Sequence, residues 1–377
     1  MYGLGTEIEV RPYNSDDEEK IVELLELAFE GWPRFSLECT PLEHWRWRYK
    51  DNLSKMNFTA VVVNKDRIIG TEHAIPINIK IGDRNFLCAF TGDTAVHPDF
   101  RRRGISKKVI KESIFLRKLQ GVQFSYFVTG NTIFIKSFSR TYLRFPHTIT
   151  NFVRICDINL QLRKIPVKNA FLMKLGFHTV KYLNKYHIFF NVSKPIPKNL
   201  RISKIGSFDD RIEEFWQIVS ENHRFIIKRS RDYLNWRYCD PRAGDFTVRQ
   251  AEKNGRILGY IILKINRYRK DYPIGFVVDL LTLPRQIDVA DALMADAVRY
   301  FDNQNINIVN SLAVKNHPYE KVLMKHGFLD SRINLHLFYD SYREVDEIGK
   351  LKIITADKIH FSYGDIDSLP ISMPSYK

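Results

Sequence analysis

The stretch Thr91-Gly-Asp-Thr-Ala-Val-His-Pro-Asp-Phe-Arg-Arg-Arg-Gly-Ile-Ser106, continued by Lys107-Lys-Val-Ile-Lys-Glu-Ser-Ile-Phe-Leu-Arg-Lys-Leu119, decides the reading of the fold. The apolar run Phe86 to Phe90 leads into Ala95 and Val96, and Pro98 ends the strand pattern. Ile105, Val109, Leu116 and Leu119 then recur at helical spacing, so the stretch reads as strand, basic turn and helix, with Gly104 as pivot. The first N–H groups of a helix lack internal partners and carry partial positive charge. Glycine lets the backbone come close, and small Ser106 leaves room, so the turn suits a phosphate. Arg101, Arg102 and Arg103 add attraction and forked donors. Taken alone, the same cluster reads equally as a solvated surface turn opening an ordinary helix.

These residues resemble the GNAT superfamily of acyl-CoA-dependent N-acyltransferases, whose signature is Arg or Gln, two residues, Gly, one residue, then Gly or Ala. The chain reads Arg101-x-x-Gly104-x-Ser106, with serine in the last place. Val96-His-Pro98 before it and the basic amphipathic helix after it also look like the family. The resemblance implies that the pyrophosphate of acetyl-CoA sits on the amides of Arg101, Arg102, Arg103, Gly104, Ile105 and Ser106. It implies further that the pantetheine arm lies along Thr94, Ala95 and Val96, with Asn131 also on the donor.

The order of elements returns in the second half. Trp47-Arg-Tyr49 recurs as Trp236-Arg-Tyr238, and Arg67-Ile-Ile-Gly70 as Arg256-Ile-Leu-Gly259, both at an offset of 189. Asp93 with Pro98 recurs as Asp279 with Pro284, and Asn131 as Asn316, at offsets of 186 and 185. A period this long means two copies of one domain and not a solenoid. The expected fold is therefore α/β (α+β), two tandem GNAT-like domains, each a mixed, mostly antiparallel sheet flanked by helices. The divisions read from the sequence are 1–160 for the donor-binding copy, 161–200 for a connecting helix (Val167 to Tyr186) and proline-bearing linker (Ser193 to Asn199), 201–340 for the second copy and 341–377 for a tail. Asn151 to Asn159 reads as a closing strand of the first copy.

The copies differ where chemistry is expected. The second has Arg285-Gln-Ile-Asp-Val-Ala-Asp after Pro284, with no glycine and with Asp288 and Asp291 where a phosphate would need positive charge. Only the first copy is expected to bind CoA. Its ending after Asn131 is looser than Asn316-His-Pro-Tyr319 to Gly327-Phe328, which resembles the last helix of the family.

Acyl transfer to an amine needs a neutral amine, a donor for the oxyanion and a proton for the departing thiolate. By position Asp93 is the candidate base, although its repetition as Asp279 equally fits a structural role. Tyr142, read on the helix after Asn131, is the candidate acid, with Tyr126 as competitor; either reads equally as a core tyrosine. His97 reads as a surface histidine beside the turn. Trp45-Arg-Trp47-Arg-Tyr49 reads as a helix anchored in its own core rather than as a nucleic-acid stacking surface.

Composition narrows the class. No run approaches the length of a membrane span, and the first residues do not resemble a signal peptide, so the chain is expected in the cytoplasm, with no membrane partner. Cys39, Cys88, Cys156 and Cys239 lie far apart, which suggests reduced thiols and no metal site. A net charge of +15 attracts anions, CoA and nucleic acid alike, without choosing among them. The expected partners are acetyl-CoA and the primary amine of a small molecule or peptide. Two other classes stay open: a Fem-like aminoacyltransferase using aminoacyl-tRNA, whose family normally lacks the CoA turn, and a non-catalytic nucleic-acid-binding protein.

Overall fold

The computed structural model describes residues 8–132, 135–136, 139–157, 199–343 and 346–366. The expected connecting helix and nearly all of the linker lie outside these. The chain divides into two compact units: Met1–Phe145 with Asp240–Gly244 and Leu337–Gly349, and Pro146–Cys239 with Asp245–His336 and Lys350–Lys377.

In the first unit β1 (Ile8–Pro12) is followed by helix α1 (Glu18–Phe29), which a capping box between Asn14 and Asp17 introduces. α1 buries Ile21, Leu24 and Leu25 and stops at Glu30, which takes the left-handed conformation. Helix α2 (Pro41–Trp45) widens into a π turn over Arg46–Lys50 and buries Trp45, Trp47 and Tyr49, the core placement expected for this aromatic stretch. Strands β2 (Ala60–Asn64), β3 (Arg67–Ile81) and β4 (Arg84–Val96) form an antiparallel meander with β1 on its edge. β5 (Phe124–Thr129) runs parallel to β4 after helix α3 (Ile105–Leu119) crosses back over the sheet. Ile105, Val109 and Leu116 of α3 pack on Ala60, Val62 and Ile69, so the helical spacing read from the sequence is the buried face. β6 (Leu143–Arg144) pairs with Phe338 and Tyr339 at the end of β14 (Leu329–Ser341).

In the second unit β8 (Arg201–Ile205), β10 (Thr247–Lys253), β11 (Arg256–Asn266) and β12 (Ile274–Thr282) form an antiparallel run. Helices α4 (Arg211–Asn222) and α5 (Arg231–Tyr238), with the short β9 (Phe225–Ile227) between them, precede β10. Helix α6 (Ile287–Asp302) links β12 to the parallel strand β13 (Ile308–Val314), and α7 (Tyr319–Lys325) precedes β14. β7 (Ile149–Ile155) pairs antiparallel with β13 and with residues 329–335 of β14. The sequence reading gave this strand to the first copy; its ladder partners belong to the second unit. Residues 346–366 were read as part of a tail, yet Ile359, Phe361, Tyr363 and Ile366 are buried. Apolar side chains placed far along the chain still seek a core.

Each unit is thus a mixed, mostly antiparallel sheet flanked by helices, and each includes a parallel pair, β4 with β5 and β12 with β13. No helix among the described residues is long and apolar enough to cross a membrane.

Candidate active site

The basic turn is built by its neighbours. The His97 N–H donates to the Ile69 carbonyl at 2.9 Å, Pro98–Phe100 form one tight turn, and Arg102 and Gly104 take φ of 63° and 75°. Arg101 donates to the carbonyls of Val96 (3.4 Å) and Ala28 (3.3 Å), and the guanidinium of Arg103 lies 5.2 Å from the Phe100 ring centroid. Gly70 on β3 is needed for packing: a Cβ there would stand 2.6 Å from Cγ2 of Ile105, so its absence lets the first residue of α3 rest on the sheet. The first helical bond of α3 runs from Lys108 N–H to the Gly104 carbonyl, leaving the amides before it without intrahelical partners. Arg101, Arg102, Arg103 and Gly104 are exposed, Ser106 is half-buried and Ile105 is buried.

β4 is bulged next to this turn. Gly92 pairs with His73 and Ala95 with Thr71, so Asp93 and Thr94 together oppose the single residue Glu72, and Asp93 takes φ of 51°. His73 holds the bulge. Its Nε2 accepts from Trp45 Nε1–H at 2.9 Å, which leaves the proton on Nδ1, 3.1 Å from the Asp93 carbonyl. Burial lowers the His73 pKa to about 4 and keeps the ring neutral.

Beyond the bulge the sheet opens. β4 and β5 pair only from Cys88–Phe124 to Phe90–Tyr126, while β4 continues to Val96. A cavity of about 220 Å³ is lined there by Thr91 and Thr94 of β4, Phe127 of β5, and Ile110 and Ile114 of α3. Its polar wall is Glu72, Arg117, Tyr142 and Asp340. Arg117 Nη2 lies 3.6 Å from Glu72 Oε1, both side chains are almost wholly buried, and Thr94 Oγ1 donates to Glu72 Oε2. Burial raises the pKa of Glu72, with Arg117 and Thr94 opposing, and raises that of Tyr142, with Asp340 adding to the shift.

The residues expected from the sequence fall into two groups. The turn residues Arg101 to Ser106 lie together at the start of α3, and Thr94 and Tyr142 line the cavity with that same helix. Asp93 does not line it: its Oδ2 accepts from Tyr49 OH at 2.6 Å and Trp32 Nε1–H at 3.0 Å, with Arg48 Nη2 at 3.7 Å. Ala95 and Val96 sit in the ladder with Thr71 and Gly70. Asn131 is exposed at the start of a helical turn, its N–H donating to Thr129 Oγ1. Tyr142 lies in a bend just before β6 and not within a helix, and Tyr126 is buried against Phe90. His97 is buried, not a surface group, because Arg67 covers its Nε2 at 2.5 Å; burial and then Arg67 lower its pKa.

Glu72, Arg117 and Asp340 escaped the sequence reading. A signal existed for two of them: Glu72 places a charge inside the strand pattern Ile68 to Ile75, and Arg117 follows Leu116 among the buried residues of α3. In the second unit Asp291 is paired with Lys325 (2.5 Å) and His326 (3.0 Å), so of the two expected acidic groups only Asp288 is left exposed at that turn.

Residues 9–138, within the first unit, match the family model for the acetyltransferase (GNAT) domain. No curated protein matches the sequence. Among solved structures, N-myristoyltransferase of Saccharomyces cerevisiae, with bound myristoyl-CoA and inhibitors, is similar at 14% identity and a TM-score of 0.60, over 98% of this chain and 88% of that one. A probable N-acyltransferase of Enterococcus faecalis V583 is similar at 13% identity and a TM-score of 0.58, covering 89% and 73%. A GCN5-related N-acetyltransferase of Anabaena variabilis ATCC 29413 is similar at 12% and 0.56, covering 88% and 72%. These likenesses establish the fold.

Proposed function

We propose that the chain is an acyl-CoA-dependent N-acyltransferase that moves an acetyl group from acetyl-CoA to a primary amine of a small molecule or peptide. The observation that carries the reading is one shared helix: the basic turn Arg101–Ser106, suited to an anion, opens α3, whose residues Ile110, Ile114 and Arg117 line a cavity where β4 and β5 part. The pyrophosphate lies on the turn, and the pantetheine arm follows Thr94, Ala95 and Val96 toward the cavity. Two tandem copies of one domain, with donor bound only by the first, account for the recurring anchors.

In the transfer step the amine nitrogen attacks the thioester carbon, the C–S bond breaks, one amine proton passes to a carboxylate and the thiolate takes a proton from an acid. Tyr142 serves as the acid, since burial keeps its phenol protonated. Asp93 is the base read from the sequence; Glu72, which faces the cavity itself, is the nearer carboxylate to the proposed reaction centre.

Calorimetry with acetyl-CoA tests the reading. One molecule bound per chain, lost in Gly104→Asp, supports it. A Cβ at Gly104 meets nothing within 4 Å, so that variant places charge at the turn without crowding the fold, at the cost of some strain from a φ of 75°. Equal affinity in both proteins, or no binding by the native chain, overturns it.

A further inference from the structure

The cavity of the first unit closes on charge, not on hydrocarbon. From Ser106, α3 rises about 6 Å to Ile110, about 12 Å to Ile114 and about 16 Å to Arg117. A pantetheine arm spans about a dozen bonds from its phosphate to its sulfur, the reach of four extended residues or about 14 Å. A donor held at the turn therefore brings its sulfur between Ile114 and Arg117, and its acyl carbons meet whatever lies beyond. That wall is the Glu72–Arg117 ion pair, with side-chain exposures of 3% and 1%. Arg117 is fixed further by its Nε–H bond to the Ser113 carbonyl at 3.1 Å, and Asp340 flanks the pair. The cavity of about 220 Å³ is shared by the end of the arm and the acyl chain.

We propose that the Glu72–Arg117 pair is the end wall that sets donor length, restricting the first unit to short acyl groups such as acetyl and butyryl, with Ile114 gauging the width beside it. The proposal rests on the acyl-CoA reading and adds its specificity determinants. A longer aliphatic chain would have to displace a buried ion pair, which leaves each charge uncompensated, or lie against it where neither apolar contact nor water is gained.

The test is calorimetric titration with free CoA and with acetyl-, butyryl-, octanoyl- and myristoyl-CoA, each affinity expressed relative to free CoA so that any general loss in a variant cancels. The native protein should bind acetyl- and butyryl-CoA within about threefold of each other and octanoyl-CoA at least tenfold more weakly. The double variant Glu72→Leu/Arg117→Leu removes both charges at once, so neither is stranded, and should bring octanoyl-CoA to within about threefold of acetyl-CoA. Should that variant fail to fold, Ile114→Phe narrows the cavity from its apolar side and should weaken butyryl-CoA about tenfold more than acetyl-CoA. Octanoyl-CoA bound by the native chain as tightly as acetyl-CoA, a double variant with native ratios, or an Ile114→Phe with unchanged ratios would each overturn the assignment while leaving CoA binding intact. Absence of binding by free CoA and all four esters would remove the acyl-CoA reading itself and this wall with it.

Discussion

The two parted strand pairs of this molecule share a backbone plan and differ in what fills it. In the first unit β4 and β5 part after Phe90 and leave a cavity of about 220 Å³. In the second, β12 and β13 part after Val277–Ser311, and the space holds Ile359, His360, Phe361 and Ser362, leaving only about 20 Å³. Corresponding aspartates follow suit. Asp93 keeps a side-chain exposure of 19% and accepts from Tyr49 and Trp32, whereas Asp279 is fully buried and accepts from Arg229 (2.9 Å), His360 (2.8 Å) and Tyr260 (3.2 Å). The turns differ as well: the residue that precedes α3 is Gly104 at φ of 75°, whereas the one that precedes α6 is Gln286 at φ of −92°. The second unit therefore departs from the first in both features that a bound donor would need, the glycine turn and the open cleft.

The largest effect should come from breaking the filled cleft. Arg229 pairs with Asp279 and Asp365, all three side chains being wholly buried, and holds Asp279 below the usual carboxylate range. Arg229→Leu strands two carboxylates, and the cost expected is about 3–5 kcal/mol of stability. Urea unfolding at pH 7 reads it, and a loss under about 1 kcal/mol would show that the cluster is solvated in solution.

Acid should be felt next, through buried histidines in both units. His73 has its pKa lowered to about 4 and His317 to about 3, burial being the main cause in each. Between these values and about 6.5 the unfolded chain binds more protons than the native one, so stability is full above pH 6.5 and falls as pH drops. For His73 alone the loss approaches about 3 kcal/mol by pH 4. His73→Gln can still accept from Trp45 and donate to the Asp93 carbonyl, so its urea midpoint should fall less between pH 7 and pH 5 than the native one; parallel curves would sink this assignment.

The turns themselves give a smaller contrast. Arg101→Ala keeps the backbone donors and removes one charged side chain, so acetyl-CoA affinity should fall roughly ten- to a hundredfold, about 1.5–3 kcal/mol. Arg285→Ala in the other turn should leave affinity unchanged. If both substitutions weaken binding alike, the second turn takes part and the contrast between the units is lost.

What the sequence disclosed, and what it hid, follows from chain distance. Thr91 to Leu119 is one continuous segment, so strand, turn and helix were legible. Glu72, Arg117 and Asp340 reach one cavity from β3, α3 and the end of β14, and no local pattern joins them. Residues 359–362 alternate apolar with polar side chains and read as an irregular tail, because His360 finds its partner Asp279 only in the folded chain. Tyr142 was assigned to a helix from its distance to Asn131, whereas the chain bends before it.

The finest contrast lies at Gly70 and Gly259, the same place in the two recurring hairpins. A Cβ at Gly70 would approach Cγ2 of Ile105 at 2.6 Å, a side-chain methyl that can yield only if Ile105 turns or α3 shifts. A Cβ at Gly259 would meet the Leu281 carbonyl at 2.9 Å and Cα of Thr282 at 3.2 Å, backbone atoms with less freedom. Gly259→Ala should therefore cost more stability, about 2–3 kcal/mol against about 1 kcal/mol for Gly70→Ala, within the range for overpacked sites. Ligand binding should reverse the order. Ile105 begins the helix whose first amides face the donor, so Gly70→Ala displaces the turn by tenths of an ångström and should weaken acetyl-CoA binding about three- to tenfold. Gly259→Ala has no such turn to disturb and should leave affinity native. Paired melting curves and calorimetric titrations of the two variants separate the effects, and an affinity loss that tracks stability in both would mean that packing under α3 does not position the anion turn.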